Sequence, residues 1–148
     1  MYAYAQRRIW QTEAGGEMFS SEPDSNGMVI ATATGPNPSD YRRRFAWNPD
    51  TQASDRNRQI EFIQNRHVVG LWHTHPERSP FPSGRDQKTT WEYLDSFQGD
   101  RSRYLMVIVG NHGRIPSIAV WVASHRPRRE WIQLSEVSIS EAGLVSRR

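Results

Sequence analysis

The chain has 148 residues, the length of one ordinary domain, and it contains no cysteine. A disulfide framework, a thiolate nucleophile, an iron–sulfur cluster and a cysteine-ligated zinc site are therefore excluded. Hydrophobic residues make up 36% of the chain and charged residues 24%, as in folded globular domains, and the formal net charge is +3. Because no apolar run could span a bilayer and no signal peptide is visible, we expect a cytoplasmic protein with no membrane partner.

Arginine carries almost all of the positive charge, with eighteen arginines against the single Lys88. A GC-rich genome would explain this bias, and so would an acidic partner, because arginine pairs well with carboxylates and phosphates. Only Arg42, Arg43 and Arg44 form a local basic run, and no nucleic-acid-binding motif accompanies it. We therefore do not expect nucleic acid to be the partner.

The first part of the chain predicts short strands separated by loops. Tyr2–Gln11 alternates weakly and predicts a strand, which Gly15–Gly16 then breaks or bends. Gly27–Thr34 is short and rich in β-branched residues, so it predicts a second strand. Gly35–Asp40 has the composition of a loop, and Arg44–Trp47 predicts a further short strand.

Two helices are predicted. The first is capped by Ser54 or Asp55 and runs to about Arg66. The second runs over Ser83–Phe97, with apolar residues at helical spacing and Gly99 as a stop signal. The predicted buried stripe of the first helix consists of Ile60, Phe62 and Ile63.

The second part of the chain predicts the centre of a sheet. Val68–Trp72 and Tyr104–Gly110 are continuous apolar runs of strand length, which is typical of strands buried on both faces. Ile118–Ala123 predicts a hairpin partner for the latter, and Trp131–Ile139 predicts a last strand. The tail Gly143–Arg148 is expected to fray.

This order of elements predicts an α/β fold with a mixed central sheet flanked by helices, in a single domain over residues 1–148. Chemistry in such sheets tends to lie beyond the carboxyl ends of strands. His73 and His75 lie at such an end, directly before a proline-rich loop.

The spacing of these histidines suits a metal. Residues i and i+2 of an extended segment project to the same side, and Asp86 follows eleven residues after His75, at the start of the predicted second helix. Two neutral imidazoles and one carboxylate suffice for a catalytic zinc with an open fourth position. Zinc lowers the pKa of a water bound there to about 7. The other three histidines show no such pattern.

Hydrolysis at such a site also needs a general base and a donor for the carbonyl oxygen. Glu13 is a candidate base beside a Gly-Gly pair, although the residues alone do not separate it from Glu17 or Glu22. Ser83 could supply a hydroxyl to the oxyanion. The segment from Ser83 to Asp86 also fits a capping box at a helix N-terminus, and the two interpretations can hold together.

The combination His73-x-His75-Pro76, six residues, Ser83, two residues and Asp86 resembles the motif of the JAMM (MPN+ or JAB) zinc metalloproteases at every fixed position. Glu13-Ala-Gly-Gly resembles the upstream Glu-x-Gly-Gly segment of that family. The resemblance covers residues from about 7 to 125 and implies a cytidine-deaminase-like fold. Zinc deaminases themselves need a Cys-x-x-Cys segment, which a chain without cysteine cannot supply.

The resemblance implies a role for each matching residue. His73, His75 and Asp86 would bind one zinc ion, Ser83 would stabilise the oxyanion, and Glu13 would be the acid/base. Many members of the family cleave the isopeptide bond between a ubiquitin-like C-terminus and a lysine amine. Most relatives have a helix before the Glu-x-Gly-Gly segment, and only twelve residues precede Glu13 here. We expect either that this helix is lost or that the start is late.

A finer resemblance is to the small prokaryotic branch, in which JAB proteins are encoded beside E1-like and E2-like enzymes. The residues that carry it are Ala33–Pro38, Arg44–Phe45 and Trp72–Pro76. Some of these proteins belong to anti-phage operons and release a conjugated cGAS-like nucleotidyltransferase or ubiquitin-like protein. Such proteins, or their conjugates, are the partners that the resemblance implies.

The resulting hypothesis is a zinc-dependent isopeptidase or peptidase that deconjugates or matures a ubiquitin-like, or similarly conjugated, protein. The alternative is a catalytically silent MPN-type scaffold in a protein complex. For the substrate tail we expect a groove along a sheet edge. Arg42, Arg43 and Phe45, which follow the predicted loop at residues 35–40, are candidates for its rim.

Overall fold

The computed structural model describes residues 1–137. A short 3-10 helix, Tyr2–Tyr4, precedes eight strands and two α-helices in this range. The strands are β1 (Gly15–Ser20), β2 (Thr32–Ala33), β3 (Tyr41–Arg43), β4 (Ala46–Asn48), β5 (His67–Thr74), β6 (Arg103–Val109), β7 (Ile118–Ser124) and β8 (Glu130–Leu134). The helices are α1 (Thr51–Ile63) and α2 (Gly84–Ser96).

Six of the strands form one mixed sheet in the order β2-β1-β5-β6-β7-β8, and β3 and β4 form a separate hairpin. Only β5 and β6 pair in parallel, with His73 opposite Ile108, and α2 is the connection between them. The other neighbours in the sheet pair antiparallel. The predicted α/β fold with a mixed central sheet flanked by helices is therefore confirmed.

Two core clusters lie on the two faces of this sheet. On one face Leu71, Met106 and Ile108 pack with Leu94 of α2. On the other face the core around Trp72 includes Ala5, from the N-terminal segment. His73 follows Leu71 by two residues and shares its face. The candidate site therefore lies on the face that α2 covers.

The predicted strand at Tyr2–Gln11 is wrong. After the 3-10 helix the chain turns around the buried side chain of Gln6, whose Nε2 donates to the carbonyls of Gln11 and Arg44. These bonds fold the segment onto the β3–β4 hairpin and leave no neighbouring strand for it. The strand predicted at Gly27–Thr34 shrinks to the two residues of β2, and the one at Arg44–Trp47 is replaced by β3 and β4.

The prediction for α1 is wrong at both ends and on its buried face. Asp50 caps the helix, and its Oδ1 accepts from the Ala53 amide at 2.8 Å. The predicted apolar stripe faces solvent, since the exposed fractions of Ile60, Phe62 and Ile63 are 53%, 67% and 85%. The helix instead buries Ala53 and Ser54, in its first turn.

The second half of the chain agrees with its predictions more closely. β5, β6 and β7 cover the predicted central strands, and α2 begins and ends within one residue of Ser83 and Phe97. β8 ends at Leu134, whereas Ile139 and the tail Gly143–Arg148 lie outside the described residues. The single domain over residues 1–148 stays a prediction. Neither α-helix within residues 1–137 has the length and apolar composition needed to cross a membrane.

Candidate active site

The two histidines lie at the carboxyl end of β5 and are almost fully buried, with exposed fractions of 4% for His73 and 7% for His75. Their Nε2 atoms are 2.9 Å apart, so both rings direct the same nitrogen to one point. The His75 amide donates to the carbonyl of Val109 at 2.9 Å, which extends the pairing of β5 with β6 by one residue. The pairing of β5 with β6 thus fixes the backbone of both His73 and His75.

The carboxylate of Asp86 completes this group from the first turn of α2. Its Oδ1 lies 3.3 Å from Nε2 of His73, and its Oδ2 lies 3.4 Å from Nε2 of His75. One ligand atom from each of the three residues lies within 4.8 Å of the others. Two imidazole nitrogens and one carboxylate oxygen that converge in this way fit a tetrahedral metal ion with one open position.

The capping box of α2 holds Asp86 in place. The Ser83 hydroxyl donates to Oδ2 of Asp86 at 2.7 Å, and the Ser83 amide donates to the same oxygen at 2.7 Å. In return, the Asp86 amide donates to the Ser83 hydroxyl. The segment from Ser83 to Asp86 can therefore be a helix cap and part of the site at once. Asp86 is the N3 residue of the capping box, and its carboxylate also faces the two histidines.

Electrostatics at this group favour an anionic Asp86 beside the imidazoles. Burial opposes the ionisation of Asp86, but hydrogen bonds from His73 and His75 outweigh it and hold the pKa of this carboxyl well below its usual range. Burial also opposes the protonation of His75, and the nearby carboxylates of Asp86, Glu13 and Glu77 outweigh it and raise the pKa of His75. Such a concentration of negative charge around two imidazoles is what a bound cation compensates.

Glu13 lies two residues before the start of β1 and faces the same cleft, with an exposed fraction of 7%. Its backbone is held by the β3–β4 hairpin. The Glu13 amide donates to the carbonyl of Arg43 at 2.7 Å, and the Glu13 carbonyl accepts from Nε of Arg42 at 2.6 Å. Burial is the main cause that raises the pKa of Glu13 from 4.5 to about 7, and Asp86 contributes. The other two glutamates considered lie elsewhere, since Glu17 is buried against Arg58 and Glu22 is exposed.

Trp47 is the residue that sequence reasoning missed. Its ring stacks on the ring of His73, with centroids 6.4 Å apart and an interplanar angle of 16°. Asp40 accepts from its Nε1 at 2.9 Å, and a Cβ on Gly15 would lie only 2.6 Å from its ring. The β3–β4 hairpin thus supports His73, one of the predicted metal ligands. In the sequence, Trp47 is the only sign of this role.

These residues line a cleft of about 230 Å³ between the β3–β4 hairpin and α2. Of the predicted rim residues, Phe45 lines the cleft and is 73% exposed. The guanidinium of Arg42 instead supports the backbone of Glu13, and that of Arg43 lies over the ring of Tyr41. Leu71, Thr89, Tyr93 and Met106 also line the cleft.

Comparison with known proteins places this site in a family. Over 103 residues the chain is 32% identical to a protein of Pseudomonas aeruginosa named CD-NTase/cGAS isopeptidase, a match that covers 68% of this chain and 64% of the relative. The chain thus spans slightly less than two thirds of that relative's length.

The fold is similar to the solution structure of protein DSY2949 from Desulfitobacterium hafniense, with a TM-score of 0.62 at 14% identity, over 93% of this chain and 84% of the other. The family model that describes prokaryotic homologs of the JAB domain matches residues 1–125, which include every residue of the cleft described above. The chain therefore belongs to the prokaryotic branch of the JAB family.

Proposed function

We propose that the chain is a zinc-dependent isopeptidase that hydrolyses the amide bond at the C-terminus of a conjugated protein. The observation that carries this proposal is the convergence of three metal-ligand atoms with a buried glutamate in one cleft. His73, His75 and Asp86 would hold the ion. Zinc bound there would supply a water of lowered pKa and would polarise the carbonyl of the scissile bond.

Glu13 would move the proton in this reaction. Its carboxylate accepts a proton from the attacking water and returns it to the leaving amine. Burial raises the pKa of Glu13 to about 7 in the metal-free protein, and bound zinc would lower it again, so the carboxyl would be ionised and ready to accept a proton near neutral pH. The bond that the Glu13 amide donates to Arg43 and the bond that the Glu13 carbonyl accepts from Arg42 would keep the carboxylate directed into the cleft.

Ser83 would serve the carbonyl oxygen of the substrate. Its side chain lies at the N-terminus of α2 on the wall of the cleft, where it is exposed. The hydroxyl now donates to Asp86, so it would have to turn towards the substrate to stabilise negative charge on that oxygen. The amide of Ser83 would keep its bond to Asp86 throughout, so the capping box need not open.

We further propose that the substrate is a cGAS-like nucleotidyltransferase or a ubiquitin-like protein joined through its C-terminus to a target. The support is the name of the relative from P. aeruginosa, CD-NTase/cGAS isopeptidase. E1-like and E2-like enzymes would then form the bond that this chain cleaves. Both reactions would belong to anti-phage defence. We expect the reaction to take place in the cytoplasm.

The test combines metal content with cleavage. Purified protein is expected to hold about one zinc per chain, and to cleave a fluorescent protein from the C-terminus of a CD-NTase to which it is fused. Glu13→Gln should keep the zinc and lose cleavage, while Glu22→Gln, a matched change at an exposed glutamate, should retain both. Cleavage that survives Glu13→Gln at full zinc content contradicts the role of Glu13. A protein that binds no metal and still forms a stable complex would favour the scaffold instead.

A further inference from the structure

Three exposed aromatic rings, each with an arginine over it, lie beside the cleft on the N-terminal segment and the β3–β4 hairpin; of these arginines, Arg44 is half-buried. The exposed fractions of Trp10, Tyr41 and Phe45 are 70%, 52% and 73%. An arginine lies over each ring, with guanidinium-to-centroid distances of 5.2 to 5.4 Å. We call this group the basic aromatic patch, and it consists of Arg8, Trp10, Tyr41, Arg43, Arg44 and Phe45.

The positive charge of the patch is not paired with carboxylates. Residues 1–12 and 41–49 contain five arginines and no acidic residue. Of the acidic residues that flank these segments, Glu13 lines the cleft, and Asp40 and Asp50 accept hydrogen bonds from Trp47 and from backbone amides. Across residues 1–137, no carboxylate forms an ion pair with Arg8, Arg43 or Arg44. Arg44 instead donates to the backbone carbonyl of Ile9 at 2.6 Å. Large apolar rings and unpaired guanidinium groups on one exposed surface are typical of a binding site for an acidic protein.

The patch is continuous with the cleft. The bonds from Arg44 to the N-terminal segment join the two parts of the patch, and Phe45 belongs to the patch and also lines the cleft with Glu13. A protein whose C-terminal tail reached the metal ligands would therefore carry its folded part close to this surface.

We propose that the basic aromatic patch binds an acidic face on the folded part of the substrate, next to the tail that is cleaved. This inference rests on the proposed function and adds that the folded part of the substrate has an acidic surface. A protein fits the patch better than a nucleic acid, because Phe45 continues the patch into the cleft that would hold the tail of a protein substrate. Charge complementarity of this kind acts mainly on the rate of association.

The variant that tests this proposal is the double charge reversal Arg8→Glu with Arg43→Glu. Both side chains are exposed, and their contacts are confined to neighbouring rings, so the fold should persist. The matched control is Arg56→Glu with Arg126→Glu, which changes the net charge equally at exposed positions outside the patch. Arg42 and Arg44 are left unchanged because they support backbone carbonyls.

The probes are two fusion substrates with the same C-terminal CD-NTase tail and the same fluorescent leaving group. One carries a folded part of strongly negative net charge, and the other carries the same part recharged to positive by surface substitutions. For the acidic substrate the patch variant should raise KM roughly tenfold with little change in kcat, and should flatten the dependence of kcat/KM on salt. The control variant should behave as the wild type.

Equal KM values for the patch and control variants overturn the proposal and leave the isopeptidase activity standing. If no substrate is cleaved, the proposed function fails. The inference about the patch is then tested by the Kd with which the protein binds the acidic folded part. A Kd that rises roughly tenfold in the patch variant alone supports the patch, and an unchanged Kd overturns it. Binding of single-stranded RNA that is lost in the patch variant, with protein binding unchanged, also overturns it in favour of a nucleic acid.

Discussion

Glu13 makes the metal-free protein less stable as the pH rises, and this can be measured without knowing the substrate. Burial raises the pKa of Glu13 from 4.5 to about 7. Each pKa unit corresponds to about 1.4 kcal/mol, so ionising this carboxyl in the folded protein costs about 3 kcal/mol more than in the unfolded chain. The folded state holds the proton more tightly, so the stabilisation is complete below pH 4.5 and is lost as the pH rises through 7.

The perturbation is Glu13→Gln, which keeps the size of the side chain and removes its titration. In urea denaturation of the zinc-free proteins, the wild type should lose about 3 kcal/mol of unfolding free energy relative to this variant between pH 4 and pH 8.5. Glu22→Gln is the matched control, since Glu22 is exposed, and its stability should follow the wild type across the same range.

Zinc should shrink this difference, because a cation close to Glu13 favours its ionised form. Parallel curves for the wild type and Glu13→Gln in zinc-free buffer would refute the reasoning, since they would mean that the carboxyl is well solvated in the folded protein. A difference of the opposite sign would mean that a nearby positive group lowers the pKa of Glu13 by more than burial raises it.

Three further predictions concern the elements that hold the site. Gly16→Ala should lower the unfolding free energy by roughly 1–3 kcal/mol, because the new Cβ overlaps the carbonyl of Thr34 and lies 2.7 Å from Nε1 of Trp72; an unchanged urea midpoint would contradict this close packing. Ser83→Ala should cost about 1 kcal/mol through loss of the cap and should weaken zinc binding in a chelator competition, and a change in neither quantity would show that the capping box does not position Asp86. Zinc at about 100 times its Kd should stabilise the wild type by about 2.7 kcal/mol in thermal or urea unfolding, and His73→Ala should abolish this effect; equal stabilisation of both proteins would place the metal elsewhere.

The parts of the fold that sequence reasoning predicted are those that local patterns determine. β5 and β6 are continuous apolar runs, and any strand buried on both faces must have that composition. The second helix carries its start signal in Ser83 and Asp86, which form a capping box. Family membership and the α/β fold are confirmed, whereas the roles of the individual site residues stay predictions.

The failures come from contacts between segments that are distant in the sequence. The apolar residues at the end of α1 have the spacing of a buried stripe, yet the helix is anchored from its other side. Arg58 donates to the buried carboxylate of Glu17 at 2.7 Å and lies over the ring of Tyr93. Nothing in the sequence of α1 reveals that an ion pair with β1, and not its apolar residues, orients the helix.

The Gly-Gly pair after Glu13 shows how one long-range contact changes the meaning of a local signal. By turn chemistry the pair predicts a break, but both glycines lie inside β1, paired with β5 at His73 and Trp72. Gly15 gives room to the Trp47 ring that stacks on His73, and Gly16 gives room to the carbonyl of Thr34. The absence of two Cβ atoms therefore lets β1, β5 and the β3–β4 hairpin approach closely beside His73. Such close packing explains why a glutamate two residues before Gly15 is buried in the cleft, and it is the physical reason for a Glu-x-Gly-Gly segment at this point of the fold.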